Sequence, residues 1–455
     1  MGGKYISRFE KDLRYEKSKK LEAAARGNKK NVFVRVRKMS LYDIMTSIMV
    51  RKGLTAAMEI RNYVQTADKD SVSKQAWLKA RQNLNPEVFR LRNDYYMKNF
   101  YESKNEVKLW KDYLVLAIDG SKAEIPNSEE NREYYGTQGN ASCSGPARAL
   151  LSGLFDVLND FFLDLQICNV NKSELKAAEE NIKSIERIGL QQKILIVFDR
   201  GYPSLELLNY LETHKIAYII RIPSNIFKKE REKLGEKGGC IEIEHTKKRL
   251  RNLMKSNNEL YQIAKTKESI STRFVVDKTP AGEEFAVLTN LSEQITDKEI
   301  VDAYFFRWKI EEAYHTLKNK MKFESVTGMA SIYVEQDFLA QVFVYNMMED
   351  VRHSAEEKIQ KKADKYKYPQ RINQNIAIGI FKNELLELML EENINLRTRK
   401  LKNLHIDCIR SKNRSIFPNR HKLPSVKNFR LQLSPGTKTY SLTTFFITSG
   451  TNTCM

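Results

Sequence analysis

YLVLAIDG, residues 113–120, is the first of three apolar runs, followed by RALLSGLFDV (148–157) and FFLDLQIC (161–168). All three are rich in strand-forming residues and are broken by short polar turns, which predicts three consecutive antiparallel strands. A charged helical stretch follows from Ser173 to about Ile188, then a buried-type strand, KILIVFDRG (193–201), a helix from Leu205 to about His214, and another strand, AYIIRI (217–222). The first and fourth of these strands are each expected to end on an acid, Asp119 and Asp199, with a turn directly after it at Gly120-Ser121 and Arg200-Gly201.

Three meandering strands followed by an alternating βαβ portion are the order of a ribonuclease-H-like domain. Residues 224–293 interrupt the alternation with Gly235, Gly238 and Gly239 and with the apolar pieces CIEIE (240–244), LYQIA (260–264), RFVVD (273–277) and FAVLTNL (285–291). They read as a β-rich insertion. Thr296 and Glu299 form a capping-box pattern, and the helix they open runs without Gly or Pro through about Lys320. A further helix is expected from Ile332 to about Lys365. The expected fold is therefore α/β, a ribonuclease-H-like core (106–223 and 294–350) with a β-rich insertion (224–293). Helical regions flank it at 1–105 and 351–435, with a Ser/Thr-rich tail at 436–455.

The 455 residues carry 77 Lys and Arg against 57 Asp and Glu, a net charge of +20 that points to a polyanionic partner. The surplus gathers at the ends: thirteen basic residues against four acids between Lys4 and Lys38, and eleven against one between Arg397 and Arg430. Ser73 is expected to cap a helix with Ala76, Leu78, Ala80 and Leu84 as packing positions, stopped by Pro86. Lys74, Lys79 and Arg81 would then face DNA; the plainer reading is a solvated helix face. The longest apolar stretch, Ala149 to Ile167, holds Asp156, Asp160 and Asp164, which argues against a membrane span. The basic N-terminus lacks the apolar run of a signal peptide, so a cytoplasmic location is expected. The five scattered cysteines, Cys143, Cys168, Cys240, Cys408 and Cys454, suggest neither disulfides nor a zinc site.

An acid after an apolar strand is usually just the first polar residue of a turn, so Asp119 and Asp199 gain weight only with a third acid. At about 100° per residue, Tyr304, Arg307, Glu311 and Lys318 fall at about 0°, 300°, 340° and 320° on the helix from Thr296, a narrow polar stripe. Phe306, Ile310, Ala313, Tyr314 and Leu317 occupy roughly 180° to 280° and form the packing face. Spacing alone also fits an ordinary Arg307–Glu311 ion pair on a solvated face.

The stretch YFFRWKIEEAYHTLK (304–318) resembles, at every step of its spacing, the Tyr-Arg-Glu-Lys signature of the insertion sequence four group of DDE transposases. IVFDRGYPS and LAIDGSK resemble the contexts of that group's two aspartates, and weaker similarity extends from Ser73 to about Asn346. The resemblance implies a carboxylate triad of Asp119, Asp199 and Glu311. Three carboxylates suit two Mg²⁺ ions, with Mn²⁺ as a substitute, for in-line phosphoryl transfer. It also implies that Tyr304, Arg307 and Lys318 meet DNA phosphates, with Arg200 beside them. Phe285 stands near the place where the group often carries a tryptophan that stacks a flipped base, although a core phenylalanine is the plainer reading.

The function so implied is a transposase that binds double-stranded DNA at its element's terminal repeats, acts as a homodimer across the two ends, and cleaves and joins DNA with Mg²⁺. The alternatives are a ribonuclease-H-like nuclease that does not join strands, and a non-catalytic DNA-binding regulator derived from a transposase.

Overall fold

The computed structural model describes residues 3–410 and 412–414, apart from 30, 36, 104, 140–144, 235–237, 279–283, 363–364 and 366–367. Gly235, Cys143, Cys454, the tail at 436–455 and the basic residues beyond 414 lie outside the described residues. Six helices precede the first strand: α1 (Lys4–Glu16), α2 (Lys19–Arg26), α3 (Leu41–Met49), α4 (Ala56–Thr66), α5 (Lys74–Arg81) and α6 (Glu87–Tyr101). The side chains of Ser18, Ser40 and Ser73 cap α2, α3 and α5 by accepting backbone N–H bonds.

The sheet begins with β1 (Tyr113–Glu124), followed by α7 (Glu129–Tyr135), β2 (Arg148–Asp156), β3 (Phe161–Asn169), α8 (Glu174–Ile188), β4 (Lys193–Phe198), α9 (Leu205–Thr213) and β5 (Ala217–Arg221). Then come α10 (Lys228–Glu232), β6 (Gly239–Glu244), α11 (Lys247–Ser256), α12 (Asn258–Ala264), β7 (Ser269–Lys278) and β8 (Glu284–Thr289). All eight strands form one mixed sheet, in the order β3-β2-β1-β4-β5-β8-β7-β6. β1, β2 and β3 pair antiparallel, β1, β4 and β5 pair parallel, and β8, β7 and β6 continue antiparallel from β5. The segment 224–293 is thus no separate β-rich body. Its three strands extend the main sheet, it holds three helices, and LYQIA lies in α12 rather than in a strand.

β1 also differs from expectation. Pairing with β4 stops at Ile118, but pairing with β2 continues to Glu124, so Asp119 lies mid-strand and no turn follows it. It marks the point where β1 loses one of its two neighbours.

The helix opened by the Thr296–Glu299 capping box runs to Lys320, though not as one regular α-helix. α13 (Asp297–Tyr304) passes through a 3₁₀ turn at Phe305–Arg307 into α14 (Trp308–His315), which loosens into a π turn at Thr316–Lys320. After it comes α15 (Ser331–Gln360), then α16 (Gln374–Leu390) and α17 (Ile394–Arg410). α15 packs against α6, α3, α17 and β3. It buries Gln336, Asp337, Gln341, Asn346 and Asp350, each with a partner from the N-terminal helices. Buried polar groups must be satisfied, and here that requirement fixes how the helices dock on the core. Among the described residues no helix is long and apolar enough to cross a membrane.

Candidate active site

The parallel register of β1 and β4 places Ile118 beside Phe198, so the next residues, Asp119 and Asp199, stand level at the carboxyl ends of the paired segment. α14 packs against β1 and presents Glu311 to the same spot. Two side chains from this helical stretch tie the three acids together. Arg307 donates from Nη1 to Asp119 Oδ2 at 3.3 Å and from Nη2 to Glu311 Oε1 at 2.8 Å. The Tyr304 hydroxyl donates to Asp199 Oδ1 at 3.1 Å. The 3₁₀ turn helps, because residues three apart eclipse there and bring Tyr304 and Arg307 into line.

The two side chains that tie the acids are buried, while the Glu311 side chain, 40% exposed, opens to solvent. Tyr304 is 1% and Arg307 4% exposed. Burial pushes the Asp119 carboxyl up to about 6, against the pull of Arg307 and of the Gly120 amide, which donates to Asp119 Oδ1 at 2.9 Å. Burial works against the Arg307 cation, but Tyr304, Asp199 and Asp119 hold its pKa above the usual value. Lys318 sits further along β1, donating to Ser121 Oγ at 2.9 Å and to the Lys122 carbonyl at 2.6 Å. Burial lowers its pKa, with Glu324 opposing.

Three oxygen-donor side chains, without His or Cys, are the ligand type that hard divalent cations prefer. One guanidinium, Arg307, pairs with two of the three acids, so the cluster keeps a surplus of negative charge that a divalent ion would balance. Among the described residues the group of three whose ligand atoms all lie within 4.8 Å of one another is a different one, Asp160, Glu349 and His353. There, however, Lys309 and Arg352 pair with Asp160, and Arg352 pairs with Glu349, so the carboxylates are already neutralised.

Not all expected contacts gather here. Lys74, Lys79 and Arg200 are exposed. Arg81 is fully buried, ion-paired with Asp337 at 2.8 Å and hydrogen-bonded to Gln336 and Thr327, so it cannot reach DNA. The inward stripe of α5 is Trp77 and Arg81, continued by Leu84, whereas Ala76 is exposed. Phe285 is also buried, its ring packed at 5.0 Å from Tyr304 and 5.6 Å from Phe305. It supports Tyr304 and offers no face to a base. Arg397, at the head of the C-terminal basic run, is buried in an ion pair with Glu10.

One contributor escapes sequence reasoning. Tyr314, expected only to pack, donates its hydroxyl to the Asp119 carbonyl at 3.1 Å. Gly153, opposite Asp119 on β2, makes room for it, since a Cβ there would lie 2.7 Å from that hydroxyl oxygen. Nothing in the spacing of Tyr314 signals this.

The transposase DDE domain family matches residues 110–347, more than half of the chain. No curated protein sequence matches it. Among solved structures it is similar to the cryo-EM structure of a piggyBac transposase synaptic complex with hairpin DNA. The TM-score is 0.43 and the identity 12%, over 92% of this chain and 84% of that one. The matched span takes in β1, the end of β4 and α14, and with them all three acids; the chain belongs to the transposase DDE domain family.

Proposed function

We propose that the protein is a DNA transposase of the insertion sequence four group, which binds the terminal repeats of its own element and cuts and joins DNA with Mg²⁺. What carries this reading is the convergence of Asp119, Asp199 and Glu311 from two adjacent parallel strands and one helix, tied together by Arg307 and Tyr304. In this reading residues 106–223 and 294–350 are a ribonuclease-H-like core. The exposed Lys74, Lys79 and Arg200 meet DNA phosphates, the protein works in the cytoplasm, and two copies assemble across the element's ends.

Asp119, Asp199 and Glu311 would hold the divalent ions. Bound Mg²⁺ supplies an activated water or 3′-hydroxyl and charge stabilisation for the leaving oxygen. Arg307 orients Asp119 and Glu311 through its two Nη donors and Tyr304 fixes the Asp199 carboxylate, so that neither is free to meet phosphate as the resemblance implies, and Lys318 adds a point charge. Burial of Tyr304 and Arg307 strengthens the hydrogen bonds they make to the acids.

The test is to incubate purified protein with Mg²⁺ and end-labelled DNA carrying the element's termini, then look for donor ends joined to a target. Joined products support a transposase. Cleavage without joining would point to a nuclease, and binding without cleavage to a DNA-binding regulator.

A further inference from the structure

Gly120 directly follows Asp119, and a Cβ at that position would lie 3.0 Å from both Cδ and Oε1 of Glu174. Glu174 is exposed, yet its carboxylate rests close against the backbone beside the first acid of the triad, where a side chain at position 120 would push it away. Glu174 opens α8, where a carboxylate gains something from the helix dipole, and that alone would be an ordinary role. Its surroundings go further. Among the described residues Glu174 has no hydrogen bond or ion pair, and the nearby Lys176 is engaged by Glu179 and Glu206 instead. An unpaired carboxylate has been brought up beside Asp119, which already shares one arginine with Glu311.

Tyr202 supplies an independent pointer. It is 3% exposed, its hydroxyl has no hydrogen-bond partner, and the charges acting on it most strongly are Glu174, Asp119 and Asp199. A buried hydroxyl without a partner is costly and calls for one. Set among three acids, it is placed to bond the water shell of a cation. We propose that Glu174 is a fourth carboxylate of the divalent-cation site, acting beside Asp119, with the Tyr202 hydroxyl bonding to the ion's bound water. This inference rests on the metal-dependent reading of the triad.

The experiment measures Mn²⁺ binding to the full chain by titration calorimetry without DNA. It compares the parent with Glu174→Gln, Glu174→Asp, Asp119→Asn and, as a control on the exposed face of α8, Glu186→Gln. Glu174→Gln is expected to weaken Mn²⁺ binding by about tenfold or more while Glu186→Gln leaves it unchanged. Glu174→Asp, which keeps the charge but shortens the reach, should fall between, and it carries the test if Glu174→Gln fails to fold. If Asp119→Asn weakens binding and the Glu174 variants do not, the fourth carboxylate is overturned and the triad stands. If the parent binds no Mn²⁺, or Asp119→Asn changes nothing, both this inference and the metal-dependent reading fall.

Discussion

Among the described residues Asp199 accepts one side-chain hydrogen bond, from Tyr304, whose hydroxyl stays protonated because burial pushes its pKa up to about 12. Hydrogen bonds to charged groups are worth about 1.5–3 kcal/mol. Tyr304→Phe is therefore expected to slow DNA cleavage by about tenfold to a hundredfold with little change in DNA affinity, as read from single-turnover rates and binding titrations. An unchanged cleavage rate would remove Tyr304 from the site. That Asp119 and Asp199 close apolar runs and that Glu311 lies on a polar helical stripe was legible in the sequence, although Asp119 lies mid-strand rather than at a strand end. Arg81 was misread even though a signal was present. Trp77 and Leu84, seven apart, mark the buried stripe, and Arg81 lies between them on the same face. For Phe285 the plainer reading, a core phenylalanine, agrees with its burial, in a strand that is buried without alternation through Thr289.

At the scale of elements, α15 determines how the N-terminal helices meet the core. Asp337, fully buried, accepts from Arg81 and from the amide and hydroxyl of Thr327. Removing one partner of a buried pair strands the other charge, at about 3–5 kcal/mol. Asp337→Ala should destabilise the protein by that amount in urea unfolding, and Arg81→Met combined with Asp337→Leu should recover part of it. A single-variant loss of under about 1 kcal/mol would contradict a structural role for the pair. Helix existence and the capping box at Thr296 were legible from sequence. The 3₁₀ and π irregularities between Phe305 and Lys320 were not, because segments of three and five residues are too short to leave a periodicity of their own.

Across the whole molecule, the sheet exceeds what local pattern reveals. The pairing of β5 with β8 joins Ile219 to Thr289, seventy residues away, and no short-range signal announces that a segment read as an insertion continues the sheet. The charge distribution was legible only in part, since Arg8, Arg92 and Arg397 in or beside the basic regions are spent on internal acids. Lys74 and Lys79 are exposed, and the proposed function has them meet DNA. Changing each to Ala should weaken binding evenly across sequences and lower the salt slope by about 1 per residue, with no effect on folding. An unchanged salt slope would clear α5 of DNA contact. Lys382 on α16 joins the C-terminal helices to the core by donating to the Met321 carbonyl at 3.0 Å, and burial lowers its pKa from 10.5 to about 7. A lowered lysine contributes stability that is fully present above its unfolded pKa and lost as the pH falls to the folded value. Lys382→Met should therefore gain on the parent in melting temperature as the pH drops from 10.5 to 7, and a difference independent of pH would refute the buried, depressed lysine.

The central claim is that Asp119, Asp199 and Glu311 together carry metal-dependent DNA cleavage. The most direct measurement compares end cleavage in Mg²⁺ by the parent protein and by Glu311→Gln, which keeps the shape and removes one metal-binding charge. The account predicts that both bind the element's ends and only the parent cuts them; equal cutting by both, or binding by both with no cutting by either, would contradict it.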